Sequence, residues 1–154
     1  MQSIVGLPLG TYFRAADMRM FGFGKIRPFK KGQVCDYSLH ILCSWRLVGP
    51  EGIITGHRDL WEPVKEDDSD EEWNYENGNL QDKKLEELFS SATFIVQSAT
   101  IKNCGDLEVV FSGEYKLQTF LDFSRDDAWL IFQPGNLDSF FHMDQELSKT
   151  EGWH

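Results

Sequence analysis

Apolar and polar residues alternate along much of the chain, most regularly over residues 37–48. The apolar positions of that stretch are Tyr37, Leu39, Ile41, Cys43, Trp45 and Leu47. Successive side chains of a β-strand point to opposite faces, so a period of two indicates a strand with one buried face. We therefore predict one strand from Tyr37 to Val48 at the centre of a β-rich fold.

Hairpins are predicted before and after this strand. Residues 11–15 and 18–23 have strand-like patterns separated by a short turn. The sequence GPEG that follows the long strand is typical of a turn, so residues 53–56 are predicted to return as its partner. Residues 57–61 are compatible with a continuation of that partner strand.

One helix is predicted at residues 80–92. Asn79 is a suitable N-cap, and the carboxylate of Asp82 favours the positive end of the helix. A single apolar stripe at helical spacing is formed by Leu85, Leu88, Phe89 and Ala92.

The last third has the pattern of an antiparallel meander. Strand-like segments separated by turns occupy residues 94–101, 107–111, 115–123 and 129–132, and residues 137–143 fit either a final strand or a short helix. The predicted class is therefore α+β, mostly antiparallel β, as a meander sheet, sandwich or partly open barrel with one α-helix.

Length and composition predict a single β-rich domain over residues 1–154. Of the 154 residues, 41% are apolar and 14% aromatic, which is enough for one core. A division at the acidic stretch would leave two small cores. We predict that residues 65–79 form an acidic surface loop and that residues 145–154 form a flexible tail.

The formal net charge of −10 argues against nucleic acid and membrane surfaces as partners, since both attract clustered Lys and Arg. A basic protein partner would complement this charge, although acidic charge also serves solubility alone. The clearest local excess of positive charge is the predicted loop at residues 25–34. No signal-peptide pattern begins the sequence and no apolar run approaches about 20 residues, so we expect a cytoplasmic protein.

Metal ligands and cofactors are not expected. Cys35, His40 and Cys43 are close in sequence, but His40 and Cys43 would point to opposite faces of a strand and could not converge on zinc. Asp68, Asp70 and Glu72 alternate as calcium ligands do. An EF-hand calcium loop, however, requires Gly at the position of Trp73 and a bidentate Glu at the position of Asn79.

No catalytic motif is present, so no catalytic residue is assigned. One polar group near the central hairpin is a candidate ligand or anion cluster, and it comprises His40, Arg46, His57, Arg58 and Asp59. Arg can bind a carboxylate with two parallel hydrogen bonds, and His40 could act as a general base near neutral pH. The alternative is an Arg–Asp pair and a hydrogen-bonded His that hold the strands in register.

A second candidate site, which we call the acidic surface, combines aromatic and acidic side chains. Its members are Trp61, Asp67, Asp68, Asp70, Glu71, Glu72, Trp73 and Tyr75. Exposed aromatic residues among carboxylates could anchor a basic protein.

The sequence LHILCSWRLVGP at residues 39–50, followed by IITG and RD, resembles a family of small uncharacterised bacterial proteins with an LHxxCxWR…G…I..G..D core. The similarity extends to GLPLG and RAADM near the start and to LEVVF, LDF and WLIF in the last third. This resemblance implies no catalytic residue and no cofactor. Some small acidic bacterial proteins of this general build act as immunity proteins to toxins. This is an analogy between classes of protein and not a match of motifs.

Two functional hypotheses follow. The first is a non-enzymatic protein-binding module, such as an immunity-type inhibitor of a basic toxin, that uses the acidic surface. The alternative is a small-molecule-binding or enzymatic β-domain in which His40, Arg46, His57, Arg58 and Asp59 line one pocket. The oligomeric state stays open.

Overall fold

The computed structural model of the chain describes residues 1–65, 73–125, 127–136 and the backbone of 141–144. The strands of the first half are β1 (Leu9–Ala15), β2 (Met18–Phe23), β3 (Arg27–Phe29), β4 (Gly32–Val34), β5 (Tyr37–Ile41), β6 (Ser44–Gly49) and β7 (Gly52–Gly56). Those of the second half are β8 (Val96–Ile101), β9 (Leu107–Phe111), β10 (Tyr115–Phe120), β11 (Asp127–Phe132) and β12 (Phe141–Asp144). The helix is α1 (Leu80–Ser91), and 3₁₀ helices occupy Gln2–Ile4, His57–Trp61, Tyr75–Asn77 and Asn103–Gly105.

The strands pair antiparallel in two five-stranded sheets. The first sheet has the order β1-β2-β5-β11-β12, and the second has the order β7-β6-β10-β9-β8. Strands β3 and β4 pair with each other as a separate hairpin. The predicted α+β class with mostly antiparallel strands is confirmed, and the described strands lie in separate sheets that do not close into one barrel.

Each sheet turns one face toward a shared core. The Phe21 ring of the first sheet lies 6.0 Å from the Trp45 ring of the second, centre to centre. The Phe23 ring lies 6.3 Å from that of Phe111, again across the two sheets. Because apolar residues alternate along these strands, each sheet can bury one complete row of side chains. One domain over residues 1–154 stays a prediction, and this shared core supports it.

The predicted single strand from Tyr37 to Val48 is wrong. The chain leaves the first sheet after β5, turns at Leu42-Cys43 and enters the second sheet as β6. Both turn residues donate their backbone N–H to the carbonyl oxygen of Ala128, at 2.9 and 3.1 Å. The alternation continues across this corner because the inner faces of both sheets point into one core, so the period of two does not reveal the break.

Hydrogen bonds also join the two sheets near the start of the chain. Pro8 forms an isolated β-bridge with Ile95, and the Leu9 N–H donates to the carbonyl oxygen of Phe94 at 2.8 Å. The start of β1 is thereby attached to the segment that leads into β8.

The helix begins where its cap predicts. The Asn79 side chain accepts a hydrogen bond from the Asp82 N–H at 2.8 Å, which satisfies one of the free donors at the helix start. Leu85 is buried, and the Phe89 ring lies 5.0 Å from Tyr12 and 6.3 Å from Phe21. The apolar stripe therefore covers one end of the first sheet.

Several local predictions need correction. Residues 57–61 form a 3₁₀ helix instead of extending β7, and part of the predicted basic loop at residues 25–34 pairs as the β3–β4 hairpin. Strand β11 joins the first sheet, so the meander of the second sheet ends with β10. Of the alternatives near the C-terminus, a strand is present at Phe141–Asp144. The acidic residues 66–72 and the tail 145–154 lie outside the described residues.

Candidate functional site: a cavity on the outer face of the first sheet

A cavity of about 370 Å³, which we call the outer cavity, lies on the face of the first sheet that points away from the core. The sheet forms its floor and the β3–β4 hairpin, together with the turn at 133–136, forms its roof. Most of the wall is apolar and includes Phe13, Met20, Phe29 and Phe132.

The alternation of the strands explains which side chains form the floor. Phe13 of β1 is opposite Met20 of β2, and Met20 is in turn opposite His40 of β5. Inner-face neighbours such as Phe21 and Leu39 are buried in the core, so the residues between them must face outward. The outer face of this sheet is therefore apolar as well, with a histidine in its centre.

Glycine allows the roof to approach the floor. A Cβ atom at Gly10 or Gly22 would lie 2.8 Å from the Cys35 Sγ atom, which real side chains do not tolerate. Cys35 is only 1% exposed and packs against the sheet beside the Thr11 hydroxyl, whose oxygen lies 3.5 Å from Sγ. The end of the hairpin is thus held directly on the strands β1 and β2.

Hydrogen bonds hold the other parts of the roof. The Arg27 guanidinium donates to the carbonyl oxygen of Pro134 at 2.9 Å, which links β3 to the turn after β11. The Lys25 N–H donates to a carboxylate oxygen of Asp36 at 2.8 Å, which closes the base of the hairpin. The roof is therefore tied to the strands on both of its sides.

His40 is the titratable group in the floor of the outer cavity. Its partial burial lowers the pKa of the imidazole below its usual value of 6.5. The ring contacts Phe132 edge-on, with 4.9 Å between ring centres, and within the described residues its nitrogens make no hydrogen bond. A neutral imidazole offers one donor and one acceptor, so His40 can pair with either kind of ligand atom.

The structure separates the five residues of the predicted polar cluster. Arg46 lies on the second sheet, where its Nε donates to Gln118 at 2.8 Å and its guanidinium lies 4.9 Å from the centre of the Phe120 ring. His57, Arg58 and Asp59 share one 3₁₀ helix beside α1, and Asp59 accepts a hydrogen bond from the Thr55 hydroxyl at 2.9 Å. Of the five, only His40 lines the outer cavity.

The described part of the acidic surface consists of its three aromatic residues. Trp61 is 49% exposed, and its ring lies edge-on to Tyr75 with 4.9 Å between ring centres. The Trp73 indole N–H donates to the carbonyl oxygen of Gly78 at 3.0 Å. The acidic members Asp67, Asp68, Asp70, Glu71 and Glu72 lie outside the described residues.

The three residues considered as zinc ligands are divided between two environments. Cys35 and His40 line the outer cavity, whereas Cys43 is buried on the core side, and this burial raises the pKa of its thiol to about 12. A thiol with that pKa stays protonated near neutral pH. Within the ranges that the structure describes, no group of three His, Cys, Asp or Glu side chains could hold a metal ion.

Sequence reasoning identified His40 but missed the rest of the outer cavity. One available signal was the apolar character of positions such as Phe13 and Met20, which alternate with core residues and so had to lie on the other face. Phe13 is indeed 48% exposed. The second signal was Gly22 within a strand, which often marks the close approach of another backbone.

Comparison with known proteins adds no assignment to this geometry. No protein-family model, curated protein or solved structure matches the chain. In the described residues no helix is long and apolar enough to span a bilayer. The function is therefore inferred from the outer cavity and from the surfaces around it.

Proposed function

We propose that this protein binds a small, largely apolar ligand in the outer cavity. The observation that carries the proposal is the cavity itself, about 370 Å³ in volume, between the first sheet and the β3–β4 hairpin. Ligand pockets are typically apolar concave sites of roughly 300 to 1,000 Å³ with a few well-placed polar groups. The outer cavity has this size and this composition.

The wall provides affinity and the floor provides orientation. Transfer of apolar ligand surface from water to contact with Phe13, Met20, Phe29 and Phe132 is favourable by about 25 cal/mol per Å². A ligand polar atom would pair with His40, because a polar group left unpaired in such a site opposes binding.

The test uses a neutral apolar fluorophore, N-phenyl-1-naphthylamine, whose emission rises when it leaves water. We expect saturable binding to the wild-type protein and displacement by 1-decanol. The variant Ser38→Leu adds a bulky side chain to the cavity floor and is expected to weaken fluorophore binding by at least about tenfold, or 1.4 kcal/mol.

The matched control is Ser98→Leu, which makes the same change at a half-buried strand position of the second sheet. Far-ultraviolet circular dichroism and thermal unfolding would establish that both variants remain folded. The proposal fails if neither probe binds the wild-type protein, or if the two variants weaken binding equally.

A second candidate function is the binding of a basic protein through the acidic surface. It is favoured by the exposure of Trp61 and by its edge-on contact with Tyr75, since exposed aromatic residues are frequent anchors of interfaces. The guanidinium of Arg14 lies 5.2 Å from the centre of the Tyr75 ring and supports the pair from the side of the first sheet. The chain's net charge of −10 would attract a basic partner.

This candidate predicts a partner that depends on Trp61. Affinity capture at low salt is expected to recover a stoichiometric basic protein with the wild type and at least about tenfold less with Trp61→Ala, because interface anchors contribute ~2 kcal/mol or more. Phe13→Ala is a control that removes an exposed aromatic ring elsewhere. Equal recovery with both variants would exclude the acidic surface as the binding site.

A further inference from the structure

The roof of the outer cavity has the opposite charge to the protein as a whole. Residues 25–34 contain four of the chain's 15 Lys and Arg residues and no Asp or Glu, while the formal net charge is −10. We call this segment, which includes β3 and β4, the basic hairpin. A local reversal of charge beside an apolar cavity is a feature that a neutral ligand does not require.

Two of its cations are at the tip of the hairpin. Lys30 and Lys31 form the turn between β3 and β4 and are exposed. The Lys30 Nζ atom lies 5.4 Å from the centre of the Phe29 ring, and Phe29 lines the outer cavity. A positive charge is therefore placed directly beside the apolar wall.

These two cations are available to a ligand. Arg27 is occupied by the Pro134 carbonyl, but among the described residues no ion pair joins Lys30 or Lys31 to a carboxylate. The field of a chain with net charge −10 opposes the approach of anions in general. At the basic hairpin, which forms part of the cavity rim, the local positive charge instead attracts anions.

We propose that the ligand of the outer cavity is an anionic amphiphile, an alkyl or aryl carboxylate whose apolar chain lies in the cavity and whose carboxylate meets Lys30 and Lys31. This inference rests on the proposed ligand-binding function and adds the chemical class of the ligand. An ammonium group suits a carboxylate at an exposed rim because it is a point charge on a flexible stem.

The experiment compares two probes with the same alkyl chain, decanoate and 1-decanol, as competitors of N-phenyl-1-naphthylamine below micelle-forming concentrations. The variant Lys30→Gln/Lys31→Gln is expected to weaken decanoate binding about five- to tenfold at low salt and to leave 1-decanol binding unchanged. Decanoate binding to the wild type is expected to weaken as salt is added, and this dependence should largely disappear in the variant.

The control Lys83→Gln/Lys84→Gln makes the same change in net charge on α1 and is expected to leave both affinities unchanged. If the rim variant weakens decanoate and 1-decanol equally, or neither, the carboxylate inference is overturned while ligand binding stands. If neither competitor binds the wild type, the proposed function fails together with it.

Discussion

At the scale of single residues, His40 shows how its surroundings change the chemistry of a side chain. It lies between Met20 and Leu130 on the neighbouring strands and against the ring of Phe132. Of the described residues that line the outer cavity, none is Asp, Glu, Lys or Arg. Burial without an opposite charge therefore lowers the pKa of His40 and favours the neutral imidazole.

This lowered pKa predicts a pH dependence of stability. The unfolded chain binds a proton at His40 below about pH 6.5, whereas the folded protein binds it only at lower pH. The free energy of unfolding should consequently decrease as the pH falls from 7 to 5. This decrease should be smaller in the His40→Gln variant. Urea unfolding at several pH values measures this difference. A folded-state NMR titration midpoint at or above 6.5 would contradict the prediction.

At the scale of elements, the first turn of α1 is attached to the sheets by a network of polar groups. Asp82 accepts hydrogen bonds from Arg19, from Arg14 at 3.1 Å and from the Asn79 side chain at 2.9 Å. Arg19 is buried and also donates to Gln81, whose amide in turn donates to the carbonyl oxygen of Gly56 at 3.0 Å. The helix start thereby connects β1 and β2 of the first sheet to the end of β7.

Loss of the Asp82 charge should weaken this attachment. Burial alone would raise the pKa of Asp82, but hydrogen bonds from Arg19, Arg14 and Asn79 outweigh it and hold the pKa below the usual range. Asp82→Asn leaves the buried Arg19 guanidinium without a counter-charge. Since the Asp82 side chain is 39% exposed, we expect a loss of stability between the values for exposed and for fully buried pairs, about 2 kcal/mol.

Chemical unfolding measures the effect of Asp82→Asn. The control is Lys83→Gln, which removes an exposed ion pair to Glu87 of 3.7 Å and should change stability by less than about 0.5 kcal/mol. The stability due to the Asp82 charge is present above its unfolded pKa and is lost as the pH falls through the lower folded pKa. A loss no larger than that of the control would show that the network is not important for stability.

At the scale of the whole molecule, the two outer faces differ. On the second sheet, Arg46, Gln118 and Glu108 form a cross-strand row in which Gln118 hydrogen-bonds to both neighbours at 2.8 Å. Such a row pairs its own polar groups and is compatible with solvent. The corresponding row of the first sheet, with Phe13, Met20 and His40, is apolar on either side of the histidine and has the basic hairpin above it. This contrast is the reason why the proposed ligand site is placed on the first sheet.

Several local features of the chain were readable from the sequence. Strand-like patterns indicated β1 and β2, the GPEG turn indicated β7, alternation identified β9, and the cap at Asn79 gave the start of α1. Alternation alone could not locate the corner at Leu42-Cys43, because residues on both sides of it are buried in the same core. The separation of His40 from Arg46 follows from that corner, so the candidate cluster could not be tested before the sheets were known.

The sequence by itself determined the start of α1, most of the extended segments and the buried face of the strands that alternate clearly, since these properties depend on neighbours one to four positions away. Only the tertiary structure decided which sheet each strand joins and that the hairpin at residues 25–34 covers the outer face of the first sheet. The physical reason is that alternation marks a buried face without identifying what buries it. The outer cavity is formed by segments as distant in sequence as Thr11 and Phe132, and only the folded chain brings them together.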